Sequence, residues 1–478
     1  MEPRSHEFEA AAVRALGDAH LQRALANLRE GFVDKRQKAV GQLPEFEALR
    51  DQARAIKDHV LDHLDLYLER FADEVTQSGG VVHWCRTAAE ARETILGICR
   101  RVNARSVTKG KSMIAEEIGL NPFLEAHGIT PVETDLGEYI IQLAHEPPSH
   151  ILAPAIHKTR DQIGELFLEH HRQYGKTRLI VEPRELVDEA RQVLRRRFLE
   201  ADVGITGANF LVAETGSVVV VTNEGNSDLT QILPKVHIVT ASIEKLVPTL
   251  EDATTLLRVL ARSATGQEFG TYTTFATGPR RAGDLDGPAE FHVVLLDNGR
   301  GDILAGPFRD MLRCIRCAAC LNHCPVYRAV GGHAYGWIYS GPMGAVLTPL
   351  IVGLEEARHL PNASTFCGRC ESVCPVRIPL PGLMRILREQ EFAAALSPPL
   401  FRRGLKLWAW CARRPGLYNW LTRQAAGWLH ALGRKKGGFR ALPFARGWTE
   451  ARELPVPQGA TFKALWAHGA RPPRSPTP

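Results

Sequence analysis

The 478 residues contain no stretch that approaches the roughly 18 consecutive apolar residues of a membrane-spanning helix. Runs such as Val218–Val221 and Leu347–Leu354 stop far short. The segment Met1–Glu9 is mixed in charge and lacks the apolar core an export signal needs. The expectation is therefore a cytoplasmic chain whose thiols stay reduced. No Gly-x-Gly-x-x-Gly occurs, so a nicotinamide or flavin site of Rossmann type has no support. Gly110-Lys111-Ser112 invites a phosphate-loop reading, but the glycine required five residues earlier is Arg105. The 18 histidines include no His-Glu-x-x-His or other zinc spacing. Tandem repeats of 20 to 50 residues are absent as well.

Charge is unevenly spread. The net of +6 conceals a tail from Pro399 onward with 15 Lys/Arg and two acids, a net of +13, which leaves −7 on the first 398 residues. Six of the eight tryptophans (Trp408, Trp410, Trp420, Trp428, Trp448 and Trp466) lie in that tail. Such a break marks a boundary near the Ser397-Pro398-Pro399 turn. With 44% apolar and 23% charged residues, close to the globular average, a chain of this length predicts about three domains.

Cysteine is concentrated in one place. Seven of the ten lie within the 61 residues from Cys314 to Cys374. Cys314, Cys317, Cys320 and Cys324 with Pro325 read C-x2-C-x2-C-x3-C-P, and Cys367, Cys370 and Cys374 with Pro375 repeat the pattern without its first cysteine. This spacing is that of proteins with two iron–sulfur clusters. Three close thiolates wrap one face of a cubane, and the fourth, set apart and followed by proline, ligates the other cluster. Structural zinc uses two ligand pairs separated by a finger-length loop and has no use for four cysteines in eleven residues. Disulfides imply an oxidising compartment. The isolated Cys85, Cys99 and Cys411 read as packed thiols.

Residues 6 to about 75 read as helices, with Leu21, Leu25 and Leu28, then Val60, Leu64, Leu68 and Phe71, at spacings of three and four. From Gly80 strand and helix patterns alternate. Strands are predicted at Val81–Trp84, Arg178–Val181, Ser217–Val221, His237–Thr240 and Phe291–Leu296, and helices at Ala88–Val102, Leu186–Leu199 and Thr254–Ala264. The fold class predicted is an α/β domain with a largely parallel sheet, then an all-α two-cluster domain and a basic helical tail. The expected divisions are a helical segment at 1–75, the α/β domain at 76–302, the cluster domain at 303–396 and the basic, tryptophan-rich region at 397–478. Glycines between the two cysteine runs, such as Gly331, Gly332 and Gly336, serve either close approach to the clusters or ordinary loops.

Cys-Ile-Arg-Cys-Ala-Ala-Cys-Leu-Asn-His-Cys-Pro-Val-Tyr at 314–327, Gly-Gly-His-Ala-Tyr-Gly at 331–336 and Gly-Pro-Met-Gly-Ala-Val-Leu-Thr-Pro-Leu at 341–350 resemble the iron–sulfur protein of bacterial lactate-utilisation systems. Upstream, Thr108-Lys109-Gly110-Lys111-Ser112, Glu133-Thr134-Asp135-Leu136-Gly137-Glu138 and Ala213-Glu214-Thr215-Gly216 look like its lactate-utilisation (LUD) domain. The resemblance covers most of residues 60–395. It implies a fold similar to the ribose-phosphate isomerase and CoA-transferase class. It also implies a role in moving electrons during oxidation of L-lactate to pyruvate, beside a cysteine-rich partner and a second LUD-type partner. Carried onto this chain, Cys314, Cys317, Cys320 and Cys374 hold one cluster, and Cys324, Cys367 and Cys370 hold the other.

The missing eighth cysteine falls at Ser364. The second cluster is thus 4Fe–4S with a non-cysteine fourth ligand (the Ser364 oxygen, water or a partner group), 3Fe–4S with three thiolates, or a cluster with an iron open to substrate. The resemblance favours 4Fe–4S. Lys109 and Lys111 form either an anion-binding turn facing a carboxylate or a structural turn. Glu214-Thr215-Gly216 and Asn223–Asn226 read as strand-end turns, and His323 and His333 as hydrogen-bonding groups near the clusters. In the tail, Phe401, Leu405, Trp408 and Ala412 share a helical face beside Arg402, Arg403 and Lys406, which suits a partner groove or an anionic membrane surface. Nucleic acid is not expected, because it would leave the clusters idle. No catalytic residue is assigned. The rival reading makes the chain itself the dehydrogenase, and the absence of a hydride-accepting cofactor motif weighs against it.

Overall fold

The computed structural model describes residues 2–435, 437–441, 453–467 and 469, so Trp448 lies outside the described residues. The chain divides into two compact units, Met1–Glu391 and Phe392–Pro478.

Ten strands shape the first unit: β1 Val81–Cys85, β2 Ser106–Lys109, β3 Thr130–Glu133, β4 Val203–Gly207, β5 Phe210–Val212, β6 Ser217–Thr222, β7 Val236–Ser242, β8 Leu246–Val247, β9 Tyr272–Ala276 and β10 Glu290–Leu296. Six of them form an all-parallel sheet in the order β1-β10-β7-β4-β2-β3. Its central strands are apolar on both faces, as a sheet covered on both sides requires: Val203, Ile205, Val236, Ile238, Val293 and Leu295 are all buried. One face packs on the helix Ala88–Arg101 through Ile95, Leu96 and Cys99. The other packs on Phe71 and Val75 of the helix Leu64–Gln77 and on a second, mixed sheet ordered β8-β5-β6-β9.

Side-chain caps set where the helices begin. Thr87 accepts from the Glu90 amide, Asp135 from Glu138 and Thr249 from Asp252. One expected strand is absent. Arg178–Val181 connects the helices Arg160–His170 and Pro183–Leu199 with no strand beside it, and Leu179 and Val181 are exposed. The Ile180 carbonyl seats on Gly164, where a Cβ would lie 2.1 Å from that oxygen. β-propensity describes fit to a pleated, half-buried surface, and none is offered here.

The N-terminal helices lie over the cysteine region. Phe8, Leu25, Leu28 and Phe46 share a core with Cys317, Cys320, Tyr327 and Tyr335. The Arg4 amide donates to the Gly336 carbonyl at 2.8 Å, Ser5 to Tyr335 at 2.9 Å and Gln22 to Ala329 at 2.8 Å. The glycines between the cysteine runs serve this packing. A Cβ on Gly332 would lie 1.7 Å from the Ser149 carbonyl oxygen, and one on Gly336 (φ +72°) 2.4 Å from the Arg4 backbone.

In the second unit the helices Pro399–Ala412 and Pro415–Gly433 each begin with proline in the first turn. Leu400, Phe401, Trp408, Trp410, Trp420 and Trp428 are exposed. Among the described residues no helix is long and apolar enough to cross a membrane.

Candidate metal centre

The two cysteine runs share one backbone shape. Arg316 (φ 59°) and Ala318 (φ 58°) flank Cys317 in the left-handed region, as Phe366 (φ 54°) and Gly368 (φ 76°) flank Cys367. Left-handed geometry costs a non-glycine residue roughly 1–2 kcal/mol, so the surrounding packing must enforce it. Each turn starts a short helix, Ala319–Asn322 carrying Cys320 and Arg369–Ser372 carrying Cys370. The Cys324 sulfur then accepts from the Tyr327 amide at 3.5 Å, and the Cys374 sulfur from Ile378 at 3.4 Å.

The seven thiols are free and fall into two sets. Burial pushes Cys317 and Cys320 upward, and Cys314 and Cys374 add to it by charge repulsion. Burial likewise raises Cys374 to about 11, with Cys314 contributing. In the other set burial raises Cys370 to about 12, with Cys324 and Cys367 adding to it. Cys324 is raised by burial and by Cys367. Cys320 also feels Cys370, so the sets adjoin. Cys367 alone is exposed, and hydrogen bonds from the Arg369 amide and Thr365 lower its pKa. Buried thiols raised in this way become thiolates when a cationic centre shares them, which is what iron supplies. The donor set fits the cluster pair. Ser364 lines the same small cavity as Cys324, Cys367 and Cys370, and its Oγ accepts from the Phe366 amide at 3.1 Å.

Cations surround the first set. Arg50 donates to the Cys374 carbonyl at 2.7 and 3.0 Å and to Ser372 at 2.8 Å, and Arg36 donates to Val373 at 3.1 Å. Burial lowers Arg36 to about 10 and Lys57 to about 8, the latter donating to the Glu244 and Leu246 carbonyls. Positive charge beside an anionic cluster favours its reduced form and raises its potential. These basic residues were not among the expected site residues. The available signal was their place on apolar helical stripes: Arg50 and Lys57 share theirs with Phe46, Leu49, Ala53 and Ile56.

A buried ionic chain joins the cysteine loop to the sheet. Arg300 meets Glu117 at 2.7 Å and Glu244 at 3.0 Å, while Arg316 meets Glu244 at 3.1 Å and stacks over Tyr339. The Tyr339 hydroxyl donates to Glu117 at 2.5 Å. Burial pushes Glu244 up, yet Arg300, Arg316 and Lys245 hold it down at about 2.

The lysines of the glycine turn part company. Lys109 is saturated by Glu116 at 2.8 Å and Glu133 at 2.7 Å and is a structural cation, whereas Lys111 lines a separate cavity. His323 and His333 donate to the carbonyls of Ala319 and Pro147. Glu214-Thr215-Gly216 is the turn between β5 and β6.

Comparison with known proteins follows this geometry. The LUD domain family matches residues 68–296, and the 4Fe-4S dicluster domain matches residues 310–378, which makes two 4Fe–4S clusters the cofactors. The "Uncharacterized electron transport protein YkgF" of Escherichia coli K12 is 45% identical over 462 residues, 96% of each chain. "Lactate utilization protein B" of Lysinibacillus sphaericus is 42% identical over 479 residues, 98% of each chain, and that of Geobacillus kaustophilus 43% over 453 residues, 94% of each. A crystal structure of a duf162 family protein from Deinococcus radiodurans covers 49% of this chain and 98% of its own at 15% identity and TM-score 0.28, too loose a match to argue from. Identity above 40% over nearly the whole length, with both domains in one chain, shows that the chain belongs to the lactate utilization protein B family.

Proposed function

We propose that this chain is the iron–sulfur electron-transfer subunit in the oxidation of L-lactate to pyruvate and that it supports growth on lactate. The observation that carries the reading is seven cysteines at two-cluster spacing inside the 4Fe-4S dicluster match at residues 310–378, in a chain of the lactate utilization protein B family. Oxidising a 2-hydroxy acid releases two electrons, and a pair of bound clusters supplies two one-electron carriers for them. Cys314, Cys317, Cys320 and Cys374 hold the first cluster. Cys324, Cys367 and Cys370 hold the second, whose fourth ligand is a non-cysteine group: the Ser364 oxygen, water or a partner's group. The exposed Cys367 brings the second cluster nearest to solvent.

The division into 1–75, 76–302, 303–396 and 397–478 belongs to this reading, as does the likeness of the α/β domain to the ribose-phosphate isomerase and CoA-transferase class. Its partners are a cysteine-rich protein and a second LUD-type protein. The basic tail, with its exposed tryptophans, serves attachment to an anionic membrane surface from the cytoplasmic side. The test mixes the purified, anaerobically reconstituted chain with L-lactate and a dye acceptor, with and without those partners. Dye reduction that requires the partners is expected. Robust lactate-dependent reduction by the chain alone would overturn the carrier role in favour of a dehydrogenase.

A further inference from the structure

Within the first unit, a cavity of about 240 Å3 lies between the parallel sheet and the first cysteine loop. Its walls include Lys111 after β2, Gly207 at the end of β4 and Thr240 near the end of β7, then Lys245 and Arg316. The cavity thus opens outside the carboxyl ends of parallel strands, where α/β sheets bind ligands. It also touches Arg316, which stands between Cys314 and Cys317.

Three basic side chains reach it, of which burial lowers Lys245 to about 7. The Lys111 ammonium and the Arg316 Nη1 are buried with no hydrogen-bond acceptor among the described residues. Arg316 pairs with Glu244 through its other terminal nitrogen, but a buried Nη1 and a buried ammonium without acceptors are costly, so the two positions favour an added anion. The acids nearby feel the charge of Lys111 without bonding it: burial raises Glu138 and Glu224, and Lys111 draws both back down. Glu224 accepts from the Leu136 amide at 3.0 Å and Asp135 from the Glu138 amide at 3.1 Å. Ser112 and Thr240, hydrogen-bonded to each other at 2.7 Å, put hydroxyls in the same wall. Taking about 30 Å3 as a water's share of the liquid, the space equals roughly eight waters. That suits a short acid.

We propose that this cavity binds a small carboxylate of the 2-hydroxy or 2-oxo acid class, its carboxylate on Lys111 and Arg316. The acid class rests on the electron-transfer reading above; the anion site does not. Arg316 belongs to both the cavity and the cysteine loop, so an anion held there favours the oxidised form of the first cluster. Tenfold tighter binding to that form lowers its midpoint potential by about 59 mV.

Calorimetric titration of the reconstituted full chain with L-lactate, pyruvate and inorganic phosphate tests this, alongside potentiometric EPR of the first cluster. Saturable binding of lactate or pyruvate and a lowered midpoint are expected. Lys111→Met weakens binding tenfold or more at unchanged iron content, and Lys111→Arg restores most of it. Absence of binding to the wild-type chain at millimolar acid, equal affinity in Lys111→Met, or binding of phosphate alone would each overturn the proposal. Partner-dependent lactate oxidation through a chain that binds no acid would sink the pocket and leave the carrier role standing. Acid binding without partner-dependent turnover would do the reverse.

Discussion

Glu244 holds one end of the ionic chain that fastens the cysteine loop to the sheet, and its carboxylate faces two guanidinium groups with no water between. Replacing Arg300 by Met leaves Glu117 and Glu244 buried with one partner fewer. Breaking such a pair costs about 3–5 kcal/mol, so chemical denaturation should show a loss of that order. The same residue sets a pH dependence. With its folded pKa near 2 against an ordinary value of about 4.3, its contribution is present above pH ~4.3 and lost as pH falls toward 2. Burial lowers His150 to about 4 and His237 to about 3. Below about pH 6.5 the unfolded chain takes up protons that these folded imidazoles refuse, so stability falls again in the acid direction. Burial raises Glu133 and Glu224 to about 7, which acts the other way over the same range, so the histidine share is isolated by substitution. His237→Gln should make the thermal midpoint at pH 5 rise relative to that at pH 7, and an unchanged difference would count against this. At this scale the cysteines were legible because cluster ligation fixes their spacing. Arg36, Arg50 and Lys57 were not, because a basic residue in a helical sequence reads as solvated until the helix is seen to lie on the cluster loop.

The cysteine turns show how an element can depend on one backbone angle. Ala318 occupies a left-handed position that Gly368 fills in the second run. Ala318→Gly should keep full iron loading, whereas Ala318→Val, β-branched at positive φ, should lower iron content and thermal stability together. Gly332→Ala forces a Cβ against the Ser149 carbonyl and should lower the melting temperature without touching a ligand. The longer strands, β6, β7 and β10, were legible as apolar β-branched runs. β2, β3, β5 and β8 were not, having two to four residues each and therefore no period to read. β2 ends at Lys109, inside a stretch read as either an anion-binding or a structural turn. Arg178–Val181 failed the other way, with strand-like residues and no neighbour to pair with.

For the whole molecule, the sequence predicts an α/β part, a cluster part and a basic tail, and it offers no hint that the first helices cover the cysteine region. That arrangement rests on contacts more than 300 residues apart in sequence, such as Arg50 with Cys374. All seven candidate ligands precede the tail, so truncation after Ser397 should leave the cluster spectra intact. It should weaken attachment to anionic vesicles, an attachment that loosens as salt rises, because exposed charges are screened over about 8–10 Å near physiological ionic strength. Loss of iron on truncation would instead make the tail part of the cluster packing. The central claim is that sets of four and three thiols hold two separate clusters. Anaerobic iron and sulfide quantitation with low-temperature EPR tests it most directly, on the wild-type chain beside Cys320→Ser and Cys370→Ser. The account predicts about eight irons per chain, four in each cluster. It also predicts that the two substitutions damage different signals. About four irons with a single signal, or the same signal lost in both variants, would contradict it.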